Sequence, residues 1–403
     1  MLRVLPKRTL AALAAAALMS QPASAQSTRA EEDRKAREAK AAASSKPTRG
    51  KVEAALFKIE DSLIVERVLN PPRGIFLRLG GLGEGAGFGV GSGYRYQTGQ
   101  FDARVSAARS LKGYSIGEAS LLLPGVVKDG PYAEIYGRWR DFSQEDFFGL
   151  GARSQVDRQS NYSIEDTLGR VTGGVRRGGF TAGLALGYLA ASIGSGTDKR
   201  TPSLETFFPP GSIPGFQAQP DFAILEPFVA FSSADPPLNP TSGRRYRASF
   251  ARYGDRNLDR FSFNRWDIDL RQYVPLVHKT RTIALRAVVS SARPDKGHEV
   301  PFYLKPTLGG SYSLRGFRSF RFRDDSLAFM QAEYRWRINY FATGALFYET
   351  GAVARRLRDI RDLERDYGIG LRLGSRNGVA FRSDFAFGSG EGLRILLRFD
   401  NAF

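Results

Sequence analysis

The most specific chemistry-bearing string in the 403-residue chain is Leu308-Gly309-Gly310-Ser311-Tyr312-Ser313-Leu314-Arg315-Gly316-Phe317. Its polar anchor is Arg315, whose planar, permanently charged guanidinium suits bidentate pairing with a carboxylate. Gly316 would let the backbone turn close against a wall. This is locking chemistry, and the residue types needed for catalysis are sparse. The chain has no cysteine, which removes thiolate nucleophiles, thiolate metal sites and a disulfide framework. Its two histidines are His278 and His298, too few for a His-rich metal site. His298 stands near Asp295 and Glu299, but a histidine without a triad context is weak evidence for hydrolysis. The chain is therefore expected not to be an enzyme, and neither cofactor nor metal is expected.

The elements that must position Arg315 follow from hydrophobic patterning. Residues 1–25 read as a signal peptide: Arg3, Lys7 and Arg8, then the apolar run Leu10 to Leu18, then Ala23-Ser24-Ala25 with small residues where cleavage would follow. The apolar run is too short for a transmembrane anchor, which needs about 20 residues. Residues 26–72 form a polar, mixed-charge tail, with a possible short amphipathic helix over 51–69 stopped by Pro71-Pro72. From residue 73 to Phe403 period 2 takes over. In Gln331 to Ile338 the odd positions are polar or charged and the even ones are Ala332, Tyr334, Trp336 and Ile338. Arg265, Asp267, Asp269 and Arg271 oppose Trp266, Ile268 and Leu270. Glu134, Tyr136, Arg138 and Arg140 oppose Ile135 and Trp139.

A soluble sandwich would also alternate, with one face in a packed core. Here the polar face mixes large charges of both signs, and aromatics sit near strand ends on the other. That pattern predicts an all-β, antiparallel transmembrane barrel with lipid outside and a polar lumen. Lipid leaves no partner for open backbone groups, so the sheet must close. The net charge of +18 then lines the lumen and does not form a nucleic-acid patch. Sixteen segments can be counted: 73–82, 86–97, 101–110, 113–122, 131–142, 163–176, 179–192, 221–233, 244–253, 262–274, 280–292, 326–339, 343–355, 366–374, 378–388 and 392–403. Short connections (Thr98-Gly99-Gln100, Arg177-Gly178, Ser375-Arg376-Asn377) alternate with long ones (143–161, 193–220, 293–325, 356–365). Short turns face the periplasm and long loops face outward, which puts both ends of the barrel in the periplasm.

Leu314-Arg315-Gly316-Phe317 after a Gly-Gly pair, between the eleventh and twelfth counted strands, resembles the sixth-loop signature of the BamA-like superfamily of outer-membrane assembly and translocation barrels, the bacterial surface antigen family. Phe347-Tyr348-Glu349-Thr350-Gly351 is similar to that family's partner motif, with Glu where the family has Asp. Tyr367 to Arg372 and Arg382-Ser383-Asp384 also look like its closing strands, and Phe147 to Gly151 is a weaker match to an outer-loop string. The resemblance implies that loop six folds into the lumen and that Arg315 locks onto Glu349, which lies on the polar face with Phe347 and Gly351. The alternative is a solvated loop arginine in a barrel rich in them. Members that insert or secrete proteins carry periplasmic POTRA modules; residues 26–72 are too few and too polar for one, so the chain resembles a POTRA-less member.

Phe403, with Phe399 on the same face of the last segment, resembles the C-terminal signal read by the barrel-assembly machinery, although Asn401 departs from the usual aromatic. The resemblance implies a cell outer membrane protein that assists insertion or translocation of proteins or lipids. Its expected partners are outer-membrane lipid, the assembly machinery during biogenesis and client outer-membrane proteins. The alternative is a passive pore or structural barrel: the charged lumen favours it and an inward loop opposes it.

Overall fold

In the computed structural model, residues 70–399 are described, apart from 127, 210, 217, 236–238, 277–279 and 376–377. The signal peptide, the possible helix over 51–69, His278 and Phe403 lie outside the described residues. Eighteen strands follow in chain order. They are β1 (Arg73–Gly81), β2 (Phe88–Gln97), β3 (Asp102–Ser110), β4 (Ser115–Leu123), β5 (Gly130–Phe147) and β6 (Ser160–Arg177). Next come β7 (Phe180–Ser195), β8 (Phe222–Ser232), β9 (Gly243–Asp255), β10 (Phe263–Leu276), β11 (Arg281–Pro294), and the short β12 (Thr307–Leu308) and β13 (Phe322–Arg323). The last are β14 (Ser326–Arg337), β15 (Ala342–Ala354), β16 (Glu364–Ser375), β17 (Gly378–Gly388) and β18 (Gly392–Arg398). All but β12 and β13 form one antiparallel meander of 16 strands, a nearly closed barrel.

The period-2 pattern is realised as a lipid face and a lumen face. Ile135, Trp139, Val171, Leu186, Val229, Trp266, Ile268, Leu270, Met330, Leu346 and Ile395 are exposed on the outside. Aromatic rings pair near the membrane boundaries, as with Phe180 and Phe231 at 4.5 Å at the short-turn end and Tyr367 and Phe387 at 5.8 Å at the other. The lumen face carries the charge as ion pairs, most of them between strands. Arg138 meets Asp166 at 2.8 Å; Glu226 receives Arg170 at 2.8 Å and Arg247 at 3.1 Å; Asp269 receives Arg271 at 2.6 Å and Arg286 at 2.9 Å.

Boundaries differ from expectation where the barrel grows out of the membrane. β5 and β6 continue to Phe147 and back from Ser160, so the expected loop 143–161 shrinks to 148–159. A register shift between Phe142 and Glu145 lets this hairpin bend inward. There Tyr162 is fully buried and donates to Glu145 at 2.6 Å. The outer end is capped by a cluster that includes Phe147, Tyr162, Ile193, Leu204 and Phe302. The β12–β13 ribbon inside the sixth outer connection was not foreseen, because two-residue strands leave no periodicity to read.

The sheet edges are β1 and β18, and among the described residues no ladder joins them. They meet only at the outer end of β1. A Cβ built on Gly80 would lie 3.2 Å from Cβ of Phe399, whose ring lies 5.0 Å from Phe88. Arg73 to Leu79 thus present a strand edge with no partner strand among the described residues.

The two faces make an asymmetric prediction. Val171, 52% exposed near the middle of β6, faces lipid. Val171→Arg is expected to cost ~2–4 kcal/mol if it sits at the bilayer midplane, read by urea titration of the barrel in liposomes. Ser120→Arg, into a lumen cavity of about 400 Å³ beside Glu118, is expected to cost far less.

Candidate functional site

The sixth outer connection, 295–325, enters the barrel because its tip is built to be buried. Leu314 takes a left-handed backbone at φ 47°, uncommon for leucine, and Phe317 N–H closes the turn on the Leu314 carbonyl at 2.9 Å. Leu314 and Phe317 are buried with Leu308, Phe322, Leu327, Phe329 and Val353, which anchors the strained turn. The turn aims the Arg315 N–H and side chain at one carboxylate. Glu349 accepts the Arg315 backbone N–H at 2.7 Å and its Nε at 2.9 Å. Arg315 Nη1 reaches Glu333 at 2.9 Å and Asp384 at 3.0 Å, and the guanidinium lies 3.5 Å above the Phe347 ring centroid. Arg315 and Glu349 have no solvent exposure at all.

The carboxylates are tied in turn. Arg372 donates to Asp384 at 2.7 Å and to Glu333 at 2.8 Å; Arg335 donates to Glu333 at 2.7 Å; Arg382 lies 3.5 Å from Asp384. Asp366, opposite Glu349 in the ladder, accepts the Gly316 N–H at 2.8 Å. Four guanidinium groups (Arg315, Arg335, Arg372, Arg382) therefore meet three carboxylates (Glu333, Glu349, Asp384), while Asp366 holds the loop through the Gly316 backbone. Each buried charge of the lock thus has an opposite charge within hydrogen-bond reach, which is the condition for burying charges without prohibitive cost.

The expected motif residues are not all used alike. Leu314, Arg315, Gly316, Phe317 and Glu349 come together at the tip. Gly351 serves elsewhere: a Cβ there would lie 2.8 Å from the Ala328 carbonyl and 3.2 Å from Leu308, so its absence admits the β12–β13 ribbon to the wall. Gly316 touches the wall itself, since a Cβ would lie 2.4 Å from the Gly388 amide nitrogen. Phe399 faces outward at the seam, 42% exposed. His298 accepts the Ser262 N–H on Nδ1 at 3.1 Å, a hydrogen bond within the outer loops.

Arg372, Arg382 and Asp384 stand in strings that resemble the family's closing strands, but neither they nor Glu333, Arg335 and Asp366 were given a part in the lock from sequence. The available signal was parity: each lies on the polar face of its strand. Glu84 and Glu391 had no such signal. Glu84, in the β1–β2 connection, accepts Ser311 N–H at 2.8 Å and the Ser319 hydroxyl at 2.6 Å, and its carboxylate fills the space a Gly310 Cβ would need. Glu391, in the β17–β18 connection, accepts Arg318 N–H at 2.9 Å and Arg321 Nε at 2.6 Å. Loop six is thus held by the hairpins on both sides of the β1–β18 seam.

The fold and site define an outer-membrane-type barrel of 16 strands, nearly closed, with its sixth loop anchored inside. Residues 140–397 match the Omp85 superfamily domain, and the chain belongs to the Omp85 superfamily. Among solved structures, BamA from Haemophilus ducreyi lacking POTRA domains 1-3 is similar, with a TM-score of 0.60 and 15% identity over 81% of this chain and 69% of that chain. CdiB from Acinetobacter baumannii is similar with a TM-score of 0.49 and 11% identity, over 80% of this chain and 58% of that one. No curated protein sequence matches the chain.

Removing Arg315 leaves Glu349, Glu333 and Asp384 underpaired in a buried site, a loss on the order of 3–5 kcal/mol. Arg315→Ala is expected to free loop six, seen as rapid trypsin cleavage after Arg318 or Arg321 in outer-membrane vesicles. Arg315→Lys is expected to rescue only in part, because an ammonium lacks the fork that spans three carboxylates. Gly316→Ala is expected to have the same effect through its clash with Gly388.

Proposed function

We propose that this barrel assists insertion or translocation of proteins or lipids at the outer membrane, with loop six as a lock that also clasps the seam. The observation that carries the reading is the bridging of both seam hairpins, through Glu84 and Glu391, by the loop that Arg315 anchors. An open strand edge is a ready template for an incoming strand, and among the described residues Arg73 to Leu79 have no partner strand. In this role the tip stays anchored on Glu349 while the shallower clasp contacts yield. Client outer-membrane proteins and outer-membrane lipid are the partners, and the barrel-assembly machinery places the barrel itself, with Phe399 and Phe403 forming the signal it reads. The reading contains no bond-breaking step and no cofactor; His298 works as a loop hydrogen-bond acceptor. Export through the signal peptide over residues 1–25 delivers the chain.

The absence of cysteine makes the seam directly testable. Leu79 and Phe399 are both exposed on the lipid side near the contact between β1 and the residue after β18. The Leu79→Cys/Phe399→Cys protein, refolded into liposomes, is expected to accelerate assembly of a reporter barrel, and a short bifunctional thiol cross-linker is expected to abolish the acceleration. Unchanged acceleration after cross-linking would contradict use of the seam. No acceleration by uncross-linked protein, together with a large steady single-channel conductance, would instead identify a passive pore.

A further inference from the structure

The outer rim carries an arginine cluster that the loop-six network does not use. The β15–β16 connection reads Arg355-Arg356-Leu357-Arg358-Asp359-Ile360-Arg361-Asp362-Leu363, with one 3-10 turn over Leu357–Asp359. It meets the end of β11, where Arg293, Arg355, Arg356 and Arg358 line a cavity of about 620 Å³. The one acid in that wall, Asp325, is already neutralised by a buried ion pair with Lys305. Arg358 leans on Asp359 at 3.8 Å, and Arg355 lies in the field of half-buried Asp324. The side chains of Arg293 and Arg356 are exposed and make no hydrogen bond or ion pair among the described residues. The cavity therefore keeps an excess of positive charge with guanidinium forks free to turn toward a ligand.

Its place on the barrel selects the kind of anion. Arg293, exposed at the end of β11, has the parity of Leu285, Ala287 and Val289 on the outward side, beyond Ser291, which is buried against Ser326. Ser291, Ser326 and Ala354 are level in the ladder, and Met330 lies four residues closer to the membrane centre, about 13 Å at strand rise. Met330 there, and Tyr348 two residues deeper opposite Ala332, face outward, 62% and 46% exposed. A cationic socket above an apolar wall fits an amphiphile with a phosphorylated head and acyl chains. We propose that this socket binds the phosphate groups of an acylated glycolipid of the outer leaflet. Guanidinium matches phosphate oxygens in two parallel hydrogen bonds, which gives geometry as well as charge. The apolar wall below gives the acyl chains a surface that a free anion would not use.

The test uses the purified full chain in nanodiscs and bisphosphorylated lipid A as probe. The protein is expected to bind it, and Arg293→Gln/Arg356→Gln to bind it about tenfold more weakly or worse, the scale of losing a charge-assisted hydrogen bond. The same glycolipid with its phosphates removed is expected to bind as weakly to the unaltered protein, and Arg293→Lys/Arg356→Lys to fall between. Unchanged heat-modifiability on gels shows that each variant is folded. Equal binding of the dephosphorylated lipid, unchanged binding by the Gln variant, or displacement by an equal concentration of inorganic phosphate would overturn the proposal. The socket stands apart from the seam, so a failed assembly assay leaves this result standing.

Discussion

A guanidinium sealed from water inside a barrel is tolerable only if its charge is matched where it sits, and Arg315 is fully sealed. Coulomb attraction at short range in a low-dielectric site is strong, but the desolvation cost it must offset is several kcal/mol per ion. The barrel meets that condition with carboxylates from β14, β15 and β17, each on the lumen face of its strand. Glu333 and Asp384 also have cations from the wall itself, Arg335, Arg372 and Arg382. The site is thus stable as a group and costly to dismantle one member at a time. Loop six is consequently held by a network that favours one geometry, and the strained Leu314 turn persists because that geometry is imposed from several directions.

Sheet register links this network to the seam. The pairing Glu349–Asp366 sets the β15 and β16 carboxylates side by side, Arg315 spans from Glu349 to Asp384 opposite Gly370, and Gly370 leaves the room that Arg372 and Asp384 occupy. From that fixed point the loop spreads upward to Glu84 on one side of the seam and Glu391 on the other. The tip is dry and multiply bonded, whereas the Arg318 contact with Glu391 is exposed. Charged contacts near solvent are individually weak and screened by salt. Motion that starts at the seam would release these outer contacts before the tip.

The strand order was legible because membrane strands must alternate, and alternation survives in single sequence at segments such as Arg265 to Arg271. Arg315 and Glu349 were legible through motif and parity together. The part their companions play was not: Asp384 stood in a string that resembles a closing strand, and Glu333 and Asp366 are ordinary polar-face residues, until register brings them to Arg315 and its loop. Glu84 lies more than 200 residues from Ser311 in sequence, and no local pattern announces a contact of that span. Gly351 shows a related limit, since its place in a string near Glu349 suggested the lock, while its missing Cβ actually makes room for Leu308. The longer β5–β6 hairpin escaped because its outer part, buried under loops, no longer alternates between lipid and lumen.

The central claim is that Arg315 and Glu349 act on loop six as a coupled pair within a shared buried network. A double-mutant cycle with Arg315→Ala, Glu349→Ala and both changes, reading opening of loop six by amide hydrogen exchange, measures that coupling directly. The account expects an interaction energy of roughly 2 kcal/mol or more, with the double variant far less perturbed than the sum of the singles. Additive effects with a coupling near zero would show that the loop is held by its apolar contacts alone and would contradict the account.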